Sequence, residues 1–557
     1  MDRESTPGYT YTTAAWQEME RSINFMCGWC EILHEEVTHY YHLTKSERDG
    51  QGAITKEAGD PPADARFSIT IRFGKHNSTG SPLCLKISIG TYTLALQCIR
   101  DCGSNHARCQ SPTREPLPTR IIDCIDPARP RLFITQTAPP DYYVALSYVW
   151  GEEQPHRTTK ARLSSYTKRI DTECIPETIR DAIKATRSLG LRYLWVDAFC
   201  IIQDSSEDKA TEISRIRSIF RTAHVTIIAA NAERVSKGFL NPRVLYNSPC
   251  ELPFRCPGGS IGTMFVQPFE QGPKEPVNTR AWCLEERALS ARALWYCTHT
   301  LQYECQMGHK NVGSSQNMAD DRDGFPRLPD RIFTPALPSL PQISAAEAEE
   351  EVSKAWRNIL VLYSKRTLTE SRDLLIALSG VVGYFADFWS NSRYLAGLWE
   401  HQLPCCLLWS IGSAAAQRPA KYRAPSWSWA AVDGSITRAV NVYGEVVSGV
   451  LVLDVIIRLV VWDPINGEMF EVAGGPGGMP DDSRSERAEI GYVQRDAVEE
   501  VSVAKGEVYA AIIAPGTTSI LGVVLVPVVT DNVGWFTAPF VDRDVWLNTP
   551  RERVQII

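Results

Sequence analysis

Cys98, Cys102, His106 and Cys109 are three thiols and an imidazole within twelve positions, the side-chain types that hold zinc. On one continuous helix they would spread over about 16 Å, too wide to converge on one ion. Gly103 and Ser104 offer a place where such a helix would break and bring them together. The expectation is buried thiols beside a helix-capping histidine, with no metal, and zinc is the alternative. Cys200 and Cys283 are candidate nucleophiles. Neither has a histidine close in sequence to draw off its proton, and cysteines in apolar runs usually pack. Asp197 closes the apolar run YLWV, where parallel strands present ligand-facing groups; a helix or loop cap is the equal alternative. The SWSW run at Ser426 to Trp429 offers two aromatic faces to a ligand. Its expected role is to anchor a β region onto helices.

These residues need elements to position them. YVALSYVW, YLWVDAFCII and AHVTIIAA are apolar runs of strand length. Between the first two lies IPETIRDAIKATRSLG, with Pro176 at the first helical position, Ile179, Ala182, Ile183, Thr186 and Leu189 on one face, and Gly190 as its stop. Before the third run, Ile213, Ile216, Ile219 and Phe220 mark a single amphipathic helix. Strands alternating with helices predict a parallel α/β sheet with helices on both faces, because parallel neighbours need a crossover.

Around this unit, taken as residues 118–310, the chain divides further. Residues 1–117 form a small α+β module, helical to about Gln51, with strands in RFSITIRFG and LCLKISIG. Residues 311–350 are a linker or irregular wrap rich in Pro, Ala and acidic residues. Helical periodicity fills 351–420. Val-rich alternation over 421–557 predicts an antiparallel β region. No repeat is evident.

At 557 residues the chain is too long for one ordinary core, and its 44% apolar and 22% charged composition is globular. A formal net charge of -7 argues against a surface built to neutralise phosphates, so nucleic acid is excluded as an expected partner. The opening MDRESTPGYTYTT lacks the basic start and apolar run of a secretion signal. GVLVLDVIIRLVVW is interrupted by Asp454 and Arg458 and is too short to span a bilayer. Sixteen cysteines without framework spacing fit reduced thiols in a cytoplasmic protein.

Three segments carry a family resemblance: YVALSYVWG at 143–151, TIRDAIKATRSLGLRYLWVDAFCIIQD at 178–204 and NTRAWCLEERALSARAL at 278–294. In order and spacing they resemble the signature blocks of fungal HET (heterokaryon incompatibility) domains. CGSNHARC and PLPTRIID upstream, and YSKRTLTESRDLLIALSG, YLAGLW and YRAPSWSWAAVDG downstream, resemble the usual flanks. Two positions depart from the pattern: Glu285 stands where glutamine is frequent, and the helix between Asp204 and Arg221 lacks a frequent tryptophan.

HET domains are in turn similar to TIR domains, a flavodoxin-like class with members that cleave NAD at the nicotinamide-ribose bond. AWCLEER resembles the TIR helix whose catalytic glutamate lies four residues after a tryptophan. The resemblance therefore implies Trp282 and Glu286, with Ser147, Trp150, Gly151 and Asp197 lining the site and NAD as substrate. A carboxylate beneath the ribose stabilises the cation formed as nicotinamide leaves, and no metal is required. The alternative for Glu286 is a solvent-facing carboxylate paired with Arg287 or Arg292. For the whole chain the family implies nonself recognition and programmed cell death, self-association and an incompatibility partner. A non-enzymatic module that recruits partners is the rival class, and a regulatory or biosynthetic protein without a death role is a third.

Overall fold

The computed structural model describes residues 89–241, 274–312, 327–336, 340–403, 405–411, 417–419 and 421–438. It also describes strands at Tyr9–Thr12, Ser68–Ile71, Cys250–Arg255 and Ile261–Val266, and seven more between Leu451 and Ile556. The rest of the helical stretch expected up to Gln51 lies outside these residues, but Tyr9–Thr12 within it is a strand; of the strand expected over LCLKISIG, residues 83–88 lie outside and Ile89 and Gly90 open a helix instead. Ser68–Ile71 does form a strand, paired antiparallel with Tyr9–Thr12. Helix α1 (Ile89–Asn105) follows, and its Tyr92, Ala95, Ile99 and Cys102 enter the main core.

That core surrounds an eight-stranded sheet: β1 (Arg120–Asp123), β2 (Arg131–Ile134), β3 (Tyr143–Ser147), β4 (Tyr193–Trp195), β5 (Val225–Ile228), β6 (Arg292–Tyr296), β7 (Leu301–Cys305) and β8 (Gly308–Asn311). The spatial order is β8-β7-β6-β5-β3-β4-β1-β2. The inner four, β4-β3-β5-β6, are parallel. Every residue of β3, β5 and β6 is buried, as expected of strands covered on both faces.

The edges correct the expectation of a parallel sheet, for β1 and β2 extend it antiparallel on one side and β7 and β8 on the other. Connection length is the reason. β6 turns directly into β7, with Cys297 N–H donating to Thr300 O at 3.0 Å, and so short a turn reaches only an antiparallel neighbour.

Helix α2 (Glu177–Ser188) carries β3 over to β4. Its buried face holds Ile179, Ala182, Ile183 and Thr186 as predicted, and Pro176 sits just before the first helical residue. Strand β4 stops at Trp195, short of the predicted strand through Ile202, because the chain enters a single helical turn, α3 (Asp197–Cys200). The Asp197 carboxylate accepts its neighbour's amide, Ala198 N–H, at 2.6 Å, which favours a turn over continued extension. The helix predicted next is two, α4 (Ser206–Ser214) and α5 (Ile216–Thr222), parted at Arg215 with ψ near −5°. Ile216, Ile219 and Phe220 are buried, whereas Ile213 is half-buried.

Helix α6 (Ala281–Leu289) leads into β6. Helix α7 (Ala345–Tyr363) begins inside the stretch predicted to be an irregular wrap. A capping box between Ser344 and Glu347 starts it, and its run of glutamates suits a helix N-terminus. Helix α8 (Ser379–Phe388) packs beside α6. The seven C-terminal strands are antiparallel, as predicted. Leu451–Asp463 is one strand of 13 residues that pairs with three others and closes the sheet into a ring. Among the described residues, no helix is long and apolar enough to cross a membrane.

Candidate functional site

Ser147 ends β3, and α6 brings its first two turns to the same carboxyl edge of the parallel strands. The junction is fixed by Cys283, whose thiol donates to Tyr148 O at 3.5 Å. One turn on, Glu286 lies beside the Ser147 hydroxyl. Ser147 Oγ and Glu286 Oε2 are both shielded from solvent, and among the described residues neither has a hydrogen-bond partner. Burial pushes the Glu286 carboxyl up to about 8; Ser147 and Cys283 oppose this, and the negative charges of Asp197 and Glu285 reinforce it. The Ser147 hydroxyl can turn to donate to the adjacent Glu286 carboxyl, so the two shielded groups stand as a pair at this edge.

Asp197 is brought to this edge and is fully engaged there. Its carboxylate accepts Tyr148 OH at 2.9 Å and Trp150 Nε1–H at 2.8 Å as well as the Ala198 amide. Tyr148 OH in turn accepts from Gln154 Nε2 at 3.1 Å. Burial raises the Asp197 carboxyl above the usual range, against the pull of these donors. Asp197 therefore holds the loop after β3 in place, and the half-buried Trp150 is fixed by its indole nitrogen. Gly151 continues that loop at φ +64°, where an added Cβ would lie 2.5 Å from Glu233 O. Only glycine fits there. Trp282 is half-buried, packed against the main core one helical turn before Glu286.

The alternative pairing of Glu286 with arginines is overturned. Arg287 forks onto Glu304 at 3.1 and 3.3 Å, and Arg292 donates to Gln110 O. Glu285 is fully buried and accepts Gly380 N–H of α8 at 2.5 Å, with burial pushing its carboxyl up to about 8. Cys200, shifted up to about 12 by burial, accepts Val196 N–H at 3.4 Å, and burial raises Cys283 further still. Both thiols pack. In the SWSW run Trp427 and Trp429 are buried; Trp429 donates to Gly397 O at 2.9 Å and meets Tyr363 of α7 edge-on.

The cysteine and histidine group converges, with one exchange of members. Helix α1 runs unbroken through Gly103 and Ser104, so the convergence does not come from the break those residues offered, and it ends at Asn105. His106 and Cys109 then turn back to meet Cys102, and Cys305 from the end of β7 completes the set in place of Cys98. His106 Nδ1 faces two sulfurs and is not a helix cap. Sequence reasoning did not identify Cys305, which is 196 positions beyond Cys109, nor the Gly380 amide or Gln154. No local spacing carries those contacts.

Comparison with known proteins gives the family. Residues 143–286 match the heterokaryon incompatibility protein family, HET, a span that runs from the start of β3 to Glu286. A segment of 104 residues is 27% identical to heterokaryon incompatibility protein 6, OR allele, of Neurospora crassa, covering 17% of this chain. The chain spans 15% of the length of that relative. No solved structure matches. The eight-stranded unit described above thus contains a HET domain over residues 143–286.

Proposed function

We propose that this chain acts in fungal nonself recognition and that its HET domain hydrolyses NAD at the nicotinamide-ribose bond, with Glu286 as the catalytic carboxylate. The observation that carries the proposal is the pair of shielded oxygens of Ser147 and Glu286 at the carboxyl edge of β3. The parallel strands follow the order second, first, third, fourth, which agrees with a flavodoxin-like, TIR-like fold. In that order the crevice between the first and third strands is the usual ligand site. Ser147 and the loop after it stand there.

In the reaction the C1′–N bond breaks heterolytically, and nicotinamide leaves with the electron pair as a neutral base. Glu286, as the carboxylate, lies against the ribosyl cation and stabilises it. Water then adds to C1′ and gives up a proton. Trp150, steadied by Asp197, supplies an aromatic wall, and Gly151 lets the loop pass close to the nucleotide. Self-association completes the site and triggers cell death, within a cytoplasmic protein that also meets an incompatibility partner.

The test is nicotinamide release by purified protein clustered through a fused oligomerising tag, followed by NMR. Wild type releases nicotinamide, and Glu286→Gln loses ~100-fold or more in rate. Equal product from both removes the assignment of Glu286. No product from either, with clustering verified, favours a module that signals by recruiting partners.

A further inference from the structure

We propose that Cys102, His106, Cys109 and Cys305 bind one zinc ion, a structural centre that fastens α1 to strand β7 of the HET sheet. The four ligand atoms lie within 4.8 Å of one another. His106 Nδ1 is 3.3 Å from Cys305 Sγ and 3.8 Å from Cys109 Sγ. Tetrahedral zinc, with bonds of ~2.3 Å to sulfur and ~2.0 Å to nitrogen, sets sulfur and nitrogen ~3.5 Å apart and two sulfurs ~3.8 Å apart. The side chains thus stand close to ligand positions, and modest contraction closes the set.

Three parts of the chain are shaped to make this meeting. Cys102 is fully buried on α1. The reversal after Asn105 is held by Cys109 N–H donating to His106 O at 3.1 Å and by Ser111 Oγ donating to Gly103 O at 2.7 Å. Cys305 is the last residue of β7. The buried thiols Cys124, Cys200, Cys283 and Cys406 belong to no such group among the described residues.

The surroundings suit a centre of this charge. Three thiolates and a neutral imidazole around a divalent ion leave one net negative charge, and the positive Arg292 lies near Cys102. The Tyr303 hydroxyl is buried beside Cys102, and among the described residues it meets no conventional hydrogen-bond partner. A thiolate at Cys102 would accept its proton, the outer-shell support that metal thiolates require. Four closed protein ligands leave no position for water, so the centre is structural and separate from Glu286.

The test uses the full-length chain purified without chelator. Zinc is measured by plasma mass spectrometry, and cobalt(II) is then exchanged in as a spectroscopic probe. The expected result is one zinc per chain, with cobalt giving intense tetrahedral bands and thiolate charge transfer. Cys305→Ser and Cys109→Ser lose bound zinc, and Cys98→Ser retains it. Should the ligand variants fail to fold, the wild-type zinc content and cobalt spectrum decide alone. Wild type without zinc and without a cobalt thiolate band overturns the proposal, as does zinc retained in folded Cys305→Ser or a disulfide among Cys102, Cys109 and Cys305.

Discussion

At the residue scale, two adjacent glutamates of one helix do different things because α6 turns them to different neighbours. Glu285 faces α8 and accepts the Gly380 amide; Glu286 faces the end of β3, where it has Ser147 beside it. Burial raises Glu285 from an ordinary 4.5 to about 8, so the fold favours its neutral form. The stability this confers is fully present below about pH 4.5 and is lost as pH rises through about 8. Glu285→Gln, neutral at every pH, is expected to flatten that loss by on the order of several kcal/mol. Urea midpoints at pH 5 and pH 8 measure it. Burial raises the Asp197 carboxyl too, but three donors, Tyr148, Trp150 and Ala198, take it up and pull the other way. Asp197→Ala leaves the Trp150 indole N–H without its acceptor and Tyr148 OH with only the Gln154 amide, and should cost ~1–3 kcal/mol, read from the same denaturation curves.

At the scale of elements, the loop after β3 and helix α6 together make the edge. Gly151 at φ +64° lets the loop pass under Glu233 O, so Gly151→Ala should destabilise by at least ~1–2 kcal/mol from the left-handed backbone alone. A thermal melt of the variant checks this. Much of the element order was legible beforehand. The apolar face of α2 and the three strand cores follow from period and pattern, whereas the Trp282 to Glu286 pair was implied only by the TIR resemblance. What was not legible depended on contacts between distant residues or on local hydrogen bonds. The Ala198 amide bond that ends β4 early makes Asp197 a clamp instead of a strand terminus, and apolar residues on both sides hide that turn. The hairpins at the sheet edges escaped because their outer strands, β2 and β8, are only four residues long and mostly unburied, without an apolar run of strand length to mark them. Cys98 was included in the metal set because spacing counts along the chain, whereas Cys305 arrives through the sheet.

At the scale of the molecule, the helical region after residue 340 braces the HET domain. Thr367 N–H donates to Thr279 O at 2.7 Å and Ala281 N–H to Thr367 O at 3.1 Å, so this segment grips the entry to α6. Arg366 donates to Val277 O and Arg280 O nearby, at 3.4 and 3.2 Å. Arg217 of α5 pairs with Asp387 of α8 and lies over the Tyr384 ring at 4.0 Å from its centre. A chain cut after residue 340 strands the buried Glu285 carboxyl and exposes the apolar side of α6. It should lose its cooperative melting transition, measurable by calorimetry against the full chain. The proposed hydrolase site would then depend on regions well outside residues 143–286.

The most direct measurement is the rate of nicotinamide release from NAD by clustered protein as a function of pH. The proposed hydrolysis uses the Glu286 carboxylate, raised to about 8 by burial, so the wild-type kcat/KM should climb about tenfold per unit below that value and level off above it. Glu286→Gln should show no such rise. A wild-type profile flat from pH 6 to 9, or the same climb in Glu286→Gln, would contradict the account.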